Sequence, residues 1–393
     1  MKSASRRLLA IALAGAGTAG CSPESRAADS TTQVRDSAGV VVVTSPGDHA
    51  LEPAPLLIGA TPTLNLAGPF HEITSVVLFP GGLAVADEYE NEIRAFDLEG
   101  AVQSRAGGAG DGPREFPRAP HIVRDQASAE EYIAYDGGAK KVLTYDPKSG
   151  HLEPMAQFLD VEVHRTFGAR GPRAASGGTL VFRNLDLDES RFGSNEDGPI
   201  RTLQLIRNLT ISDGSITTIA EFDEPMMFLS GIGMGTVPFA PLTAVAASSS
   251  GPVVLMPGRA ELRHFAPDGS VLRILRVDAP REPVTDDALH RYREFRDNVQ
   301  GAESASPDSI PFFDQVLVDA SDRTWARRYT LDLATGSEWV VFSEEGSVLG
   351  TVIAPPGLDL YDIGHGFVAG VYTSDLGEQT VRVFPLADRT EGG

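Results

Sequence analysis

One pattern recurs six times along the chain and restricts the fold more than any other feature. It is an apolar strand, a polar turn, a second strand ending in a large apolar residue, and a turn bearing Asp or Gly. Residues 82–107, "GLAVADEYENEIRAFDLEGAVQSRAG", form the clearest copy. Further copies run over 132–158, 180–222 (interrupted by a polar loop), 253–277, 324–354 and 366–384. The residues that end the strands are Phe96, Tyr145, Ile211, Phe265, Phe342 and Phe384. Their separations of 49, 66, 54, 77 and 42 residues describe one short unit lengthened by loop insertions. Within each unit apolar and polar residues alternate, as half-buried antiparallel strands require. The turns "LEG", "KSG", "SDG" and "PDG" put Gly or Asx where the backbone needs positive φ.

A sheet this small cannot bury its apolar face alone, and six of them bury it by stacking around an axis. The pattern therefore predicts an all-β, six-bladed β-propeller of four-stranded antiparallel blades. The 41 glycines and 27 prolines suit many short elements with frequent turns. The sixth copy stops after its third strand. "GVVVVTS" (39–45) is the expected missing strand that closes the ring, because an unpaired Val tetrad would invite aggregation. One segment departs from the β pattern. "PVTDDALHRYREFRDNVQ" (283–300) offers Thr285 as an N-cap, Asp286 and Asp287 in the first turn, and Leu289, Tyr292, Phe295 and Val299 at helical spacing. It predicts an amphipathic helix inserted at about 284–300 between blades four and five, packed on the propeller and followed by a flexible "GAESASPDS" loop. The propeller domain is expected over 36–388, with a disordered tail at 389–393.

The first 21 residues have a basic start (Lys2, Arg6, Arg7), an apolar run of about ten residues and small residues before Cys21. These are the three parts of a bacterial export signal. The apolar run falls short of the roughly 20 residues that span a bilayer. Cys21 is the one cysteine of the chain, so no intramolecular disulfide forms. "TAGC" resembles the lipobox of bacterial lipoproteins, with Thr18 where an apolar residue is preferred. A signal peptide at 1–20, lipidation of Cys21 and a polar tether at 21–35 are expected. Ser22, rather than Asp, follows the cysteine and favours the outer membrane. The formal charge of −21 excludes nucleic acid as a partner, since phosphates demand basic surface.

"RAGGAGDGPREFPRAP" (105–120) looks chemical, but it lacks the G-x-G-x-x-G spacing and the following helix of a dinucleotide site, and no Gly-Lys-Ser/Thr is present. Gly108, Gly110, Gly112, Phe116 and Pro120 stand in an order that resembles the inter-blade loop of NHL-type propellers. "LAVAD" and "IRAFDLEG" are similar to the hairpin of that family. The lipobox-like start, "DSAGVVVV" (36–43), "GGAGDGPREF", "TWARRY" and "DLGEQTVRVFPL" together resemble the six-bladed propeller lipoproteins of Gemmatimonadota- and Bacteroidota-type bacteria. That resemblance implies a fold and a location but no reaction. Arg105–Pro120 is then a joint between blades, with Phe116 packed between them.

Other clusters give little chemistry. Asp186 and Asp188 in "NLDLDES" lack the glycine and glutamate that an EF-hand loop needs at its sixth and twelfth positions. The eight histidines show no zinc-peptidase spacing, and no G-x-S-x-G elbow occurs. His71, His121 and His164 stand near the starts of early blades, where different blades could bring them to the axis. The expected function is a binding module, exported and membrane-anchored, for a small molecule, a glycan or an envelope protein. It is expected to be monomeric, without nucleic acid or cofactor, and to touch the membrane through the lipid alone. Candidate ligand-binding residues are Arg114, Arg118 and His121 beside the 105–120 loop, and Arg183, Trp325 and Arg327 on later blades: cationic or aromatic groups on an acidic protein. The alternative is a lactonase-like or amidating-lyase-like propeller hydrolase or lyase, holding calcium or zinc on the axis.

Overall fold

The computed structural model describes residues 31–389 apart from 48, 69, 71, 129, 159–170, 188–196, 225, 232, 297–300 and 375. Cys21, His71, His164, the export signal and all of the expected 389–393 tail but Arg389 lie outside the described residues; Arg389 N–H donates to the Pro55 carbonyl at 2.7 Å. Within them the chain is a six-bladed β-propeller. Blade one is Ile73–Phe79, Gly82–Asp87, Glu92–Asp97 and Val102–Gly107, paired antiparallel in chain order. Blade two is Pro120–Arg124, Tyr132–Asp136, Lys141–Asp146 and His151–Gln157. Blade three is Ala174–Ser176, Thr179–Leu187, Thr202–Thr210 and Ile216–Asp223. Blade four is Val245–Ser248, Gly251–Leu255, Glu261–Phe265 and Val271–Asp278. Blade five is Phe313–Val318, Thr324–Arg328, Ser337–Phe342 and Val348–Ala354. Blade six supplies Leu358–Ile363, Phe367–Thr373 and Gln379–Asp388.

The strand that closes blade six is not the Val run. Leu56–Ile58 and Leu64–Leu66 pair antiparallel with Gln379–Asp388 and complete the ring. Val40–Pro46 instead lies parallel to the outer strand of blade four, Val41 opposite Arg273, and carries the hairpin partner Gln33–Ser37 outside it. Val42 and Val43, on opposite faces of the strand, are both buried there, so the apolar side chains are covered on a different blade. Between the two pairings the chain crosses blade five. Thr351 N–H donates to the Glu52 carbonyl and Ala54 N–H to the Thr351 carbonyl at 2.8 Å. Gly350 makes this crossing possible, since it has φ +126° and a Cβ there would meet the Glu52 carbonyl at 2.4 Å. Residues 40–66 thus strap together the outer edges of blades four, five and six.

Side chains between blades form the core. Trp325, Trp339 and Phe384 are wholly buried between blades five and six with Leu56 and Ile58 of the strap. Phe116, the aromatic of the 105–120 loop, is fully buried between blades one and two among Ala84, Ile122 and Tyr132. Gly107 has φ +89°, and a Cβ there would meet the Phe116 ring at 2.3 Å. The loop closes on itself through Glu115, whose carboxylate accepts from Gly112 N–H at 2.9 Å, and through Lys141 Nζ, which donates to the carbonyls of Gly112 and Glu115. Its glycines serve packing and turning.

The inserted helix is Asp286–Phe295, capped by Thr285, whose hydroxyl accepts from Ala288 N–H. It packs through Ala288 and Tyr292 on Phe239 and Tyr329, while Phe295 is exposed. Of the expected stripe, Tyr292 is buried, Leu289 packs beside it and Phe295 is exposed, while Val299 lies outside the described residues. Ala302–Ala305 is a short 3-10 turn with Ala302 buried against Phe228 and Val237, rather than a featureless loop. Gly198–Ile200, inserted in blade three, forms a small sheet with Met227–Ser230 and Gly233–Thr236 from the connection between blades three and four.

His264, on the third strand of blade four, makes one pH prediction. It is buried, with Thr324 Oγ1 at 3.5 Å, and burial reinforced by Arg273 pushes its pKa down to about 4. Between about 4 and the ordinary 6.5 the unfolded chain binds a proton that the folded protein refuses. Stability is therefore complete above pH 6.5 and falls as pH drops toward 4. His264→Gln is expected to flatten this loss by about 2 kcal/mol, read from urea melts at pH 4.5 and 7.

Candidate functional site

All six first strands line one axial cavity of about 320 Å³. Each first strand runs from the upper face, which carries the inter-blade connections, to the lower face, which carries the turns into the second strand. The strands pack edge to edge at the axis, so small and β-branched residues such as Val76, Ala246 and Val316 form the middle of the wall. Polar groups gather at the two ends.

At the lower end Arg124 of blade two meets Asp362 of blade six at 2.7 Å, both nearly buried. Asp362 also accepts from Leu78 N–H of blade one at 2.7 Å, and Arg124 donates to the Ile363 carbonyl at 3.3 Å. The pair joins three blades and floors the cavity. At the upper end Arg327 bridges two carboxylates, Asp314 at 2.7 Å and Asp359 at 2.8 Å. Burial pushes both carboxyls above the usual range, against the pull of Arg327. Tyr361 beside them is raised by burial and by Asp359.

Blade three breaks the symmetry. Its first strand has only three residues, Ala174–Ser176, so above Ala174 the second strand is exposed to the axis. Arg183 therefore lines the cavity from the second strand, beside Arg173. Arg183 Nη1 donates to the Thr243 carbonyl at 2.7 Å, and no carboxylate pairs with it among the described residues. The carbonyl is itself fixed, because Thr243 N–H donates to Gln204 Oε1 at 3.0 Å and Thr243 Oγ1 to the Leu255 carbonyl at 2.6 Å. Burial, with Arg173 nearby, lowers Arg183 to about 10, so the guanidinium stays charged at neutral pH while poorly solvated. His121 completes this side. It is buried, and its ring lies so close to Gly171 that a Cβ there would meet it at 2.3 Å.

Of the sequence candidates, His121 and Arg183 line the upper part of the axial cavity, while Arg327 stands behind its wall, paired with the lining residue Asp359. Arg114 and Arg118 are exposed on the 105–120 loop and do not line the cavity. Trp325 is a correction, since it is fully buried between blades and its Nε1 donates to Asp319 at 2.9 Å, leaving no surface for a ligand. Arg173, Asp359 and Tyr361 went unnoticed because nothing local distinguishes them. Their places on or just before the first strands of blades three and six could be found only once those strands were located. Among the described residues no three His, Cys, Asp or Glu side chains come together as metal ligands. The axial carboxylates are held by arginines.

The family model DUF5128, described as a 6-bladed beta-propeller, matches residues 68–193. No curated protein matches the sequence. Among solved structures the chain is similar to a member of the duf4221 family from Bacteroides vulgatus, at 12% identity over 85% of this chain and 99% of that one, TM-score 0.49. It is also similar to the PQQ-bound aldose sugar dehydrogenase of Streptomyces coelicolor (11% identity, 85% and 99% coverage, TM-score 0.42). A third is the calcium-binding protein regucalcin of Agrobacterium tumefaciens (11%, 82% and 94%, TM-score 0.38). Among the described residues no helix is long and apolar enough to cross a membrane.

Proposed function

We propose that this propeller is a binding module whose site is the upper half of the axial cavity, and that its ligand is a small anion of sugar-acid size. One observation carries this reading: Arg183 is a desolvated cation on the cavity wall whose only described partner is a backbone carbonyl. Leaving a buried charge uncompensated costs several kcal/mol, and a bound carboxylate would recover that cost through charge-assisted hydrogen bonds. The like charge of Arg173 adds to the attraction for an anion. Asp359 and Tyr361 across the cavity offer an acceptor and a hydroxyl for ligand OH groups. The test is calorimetric titration with D-glucuronate and with uncharged D-glucose. Glucuronate is expected to bind and glucose not, with Arg183→Gln weakening glucuronate at least about tenfold. Equal binding of both sugars, or an unaffected variant, would refute the assignment.

The same proposal includes export and anchoring through Cys21, supported by the basic, apolar and small-residue order of residues 1–21. Palmitate is expected to label the wild-type protein and not Cys21→Ala in a lipoprotein-processing host. Label retained by the variant would remove the anchor.

A further inference from the structure

A second cavity, of about 300 Å³, opens on the lower face beneath the Arg124–Asp362 pair. It is bounded by the turns after the first strands of blades one, two, five and six, so it is separate from the upper half of the axis. Its walls are mainly apolar. Phe79 and Tyr132 stand edge to face at 6.5 Å between centroids, and Phe367 faces them from blade six. Tyr132 is fixed by its hydroxyl, which donates to the Leu78 carbonyl at 3.2 Å.

Besides the Tyr132 hydroxyl, the ionisable groups lining this pocket are Arg124, Asp125, Glu130 and His365, and its carboxylates outnumber its guanidinium. Arg124 is neutralised by Asp362. The Asp125 carboxylate accepts backbone N–H groups from Ala127, Gly177 and Gly178. Glu130 is exposed on the rim, forms no described bond, and its charge acts on the Tyr132 hydroxyl. An aromatic-walled pocket with surplus carboxylate on a protein of formal charge −21 is complementary to an organic cation. We infer that the lower-face cavity, walled by Phe79, Tyr132 and Phe367 and rimmed by Glu130, binds small organic ammonium ions. Apolar substituents on nitrogen would fill the pocket against the aromatic faces, and the spread positive charge would face the rings and Glu130.

Calorimetry with benzyltrimethylammonium tests this, with sodium benzoate as the anion of similar shape. The ammonium is expected to bind at one site per chain, and benzoate to show no binding at that site. Glu130→Gln and Phe367→Leu, which keep the fold while removing a charge and a ring face, are each expected to weaken binding at least about threefold. Arg183→Gln, in the upper cavity, is expected to leave it unchanged, so this inference and the anion site stand or fall separately. Absence of ammonium binding, a preference for benzoate, or binding indifferent to both Glu130→Gln and Phe367→Leu would overturn the assignment.

Discussion

A protein lacking residues 1–66 is expected not to fold, whereas one lacking residues 1–47 folds with a melting temperature lowered by about 5–10 °C. The difference follows from where the two parts of the strap are bound. Residues 1–47 contribute the hairpin on the outer edge of blade four, where Val42 and Val43 are the main buried groups. Losing two valines costs a few kcal/mol at about 25 cal/mol per Å² of apolar surface. It also bares an edge strand that was already the outermost of its blade. Residues 48–66 do more. Leu56 and Ile58 pack with Trp339 and Phe384, and Leu64 and Leu66 pack with Val381, Val383 and Leu78. Without them blade six lacks its outer strand, two interblade cores lose their lids, and the ring is left open. Far-UV circular dichroism with thermal melting of both truncations is the measurement. A cooperative melt from the shorter protein would show that closure is dispensable.

Arg124→Met is expected to destabilise the protein by about 3–5 kcal/mol, the second large effect. It leaves Asp362 buried at the cavity floor with one backbone N–H and no counter-charge. The residues are 238 apart in sequence, so the cost falls on contacts between blades two and six rather than within one blade. Arg124→Met combined with Asp362→Leu is expected to recover most of the loss, because the penalty is that of an unpaired charge rather than of the missing bond. Urea unfolding of the single and double variants gives the coupling. A double variant no more stable than Arg124→Met alone would mean that the pair contributes stability in its own right.

Much of the fold was legible because propeller hairpins are local. "GLAVAD" and "EIRAFD" are short apolar-rich runs, almost wholly buried and separated by a turn, so a blade's central hairpin is written within some 25 residues. Two kinds of strand were not legible. The first strands of blades three and four, "AAS" and "VAAS", are only three and four residues long and small-sided, so no pattern marks them. The closing strands "LLI" and "LNL" are half exposed, three residues long and close to prolines, whereas "VVVV" has the stronger strand signal. β-branched composition shows that a segment will be a strand, but not which edge it joins. The Val run consequently went to blade four. The site was legible in part for the same reason. Arg183 attracts notice as a cation on an acidic chain, but its access to the axis depends on how late the first strand of blade three begins. Trp325 attracts notice as an aromatic, and only packing shows it to be core.

The most direct test of the anion site is a crystal structure of the protein soaked in D-glucuronate. The account predicts the carboxylate of the sugar in the upper half of the axial cavity, within hydrogen-bond distance of the Arg183 guanidinium. A sugar bound elsewhere with that cavity holding only solvent, or Arg183 turned onto a carboxylate of the protein itself, would contradict it.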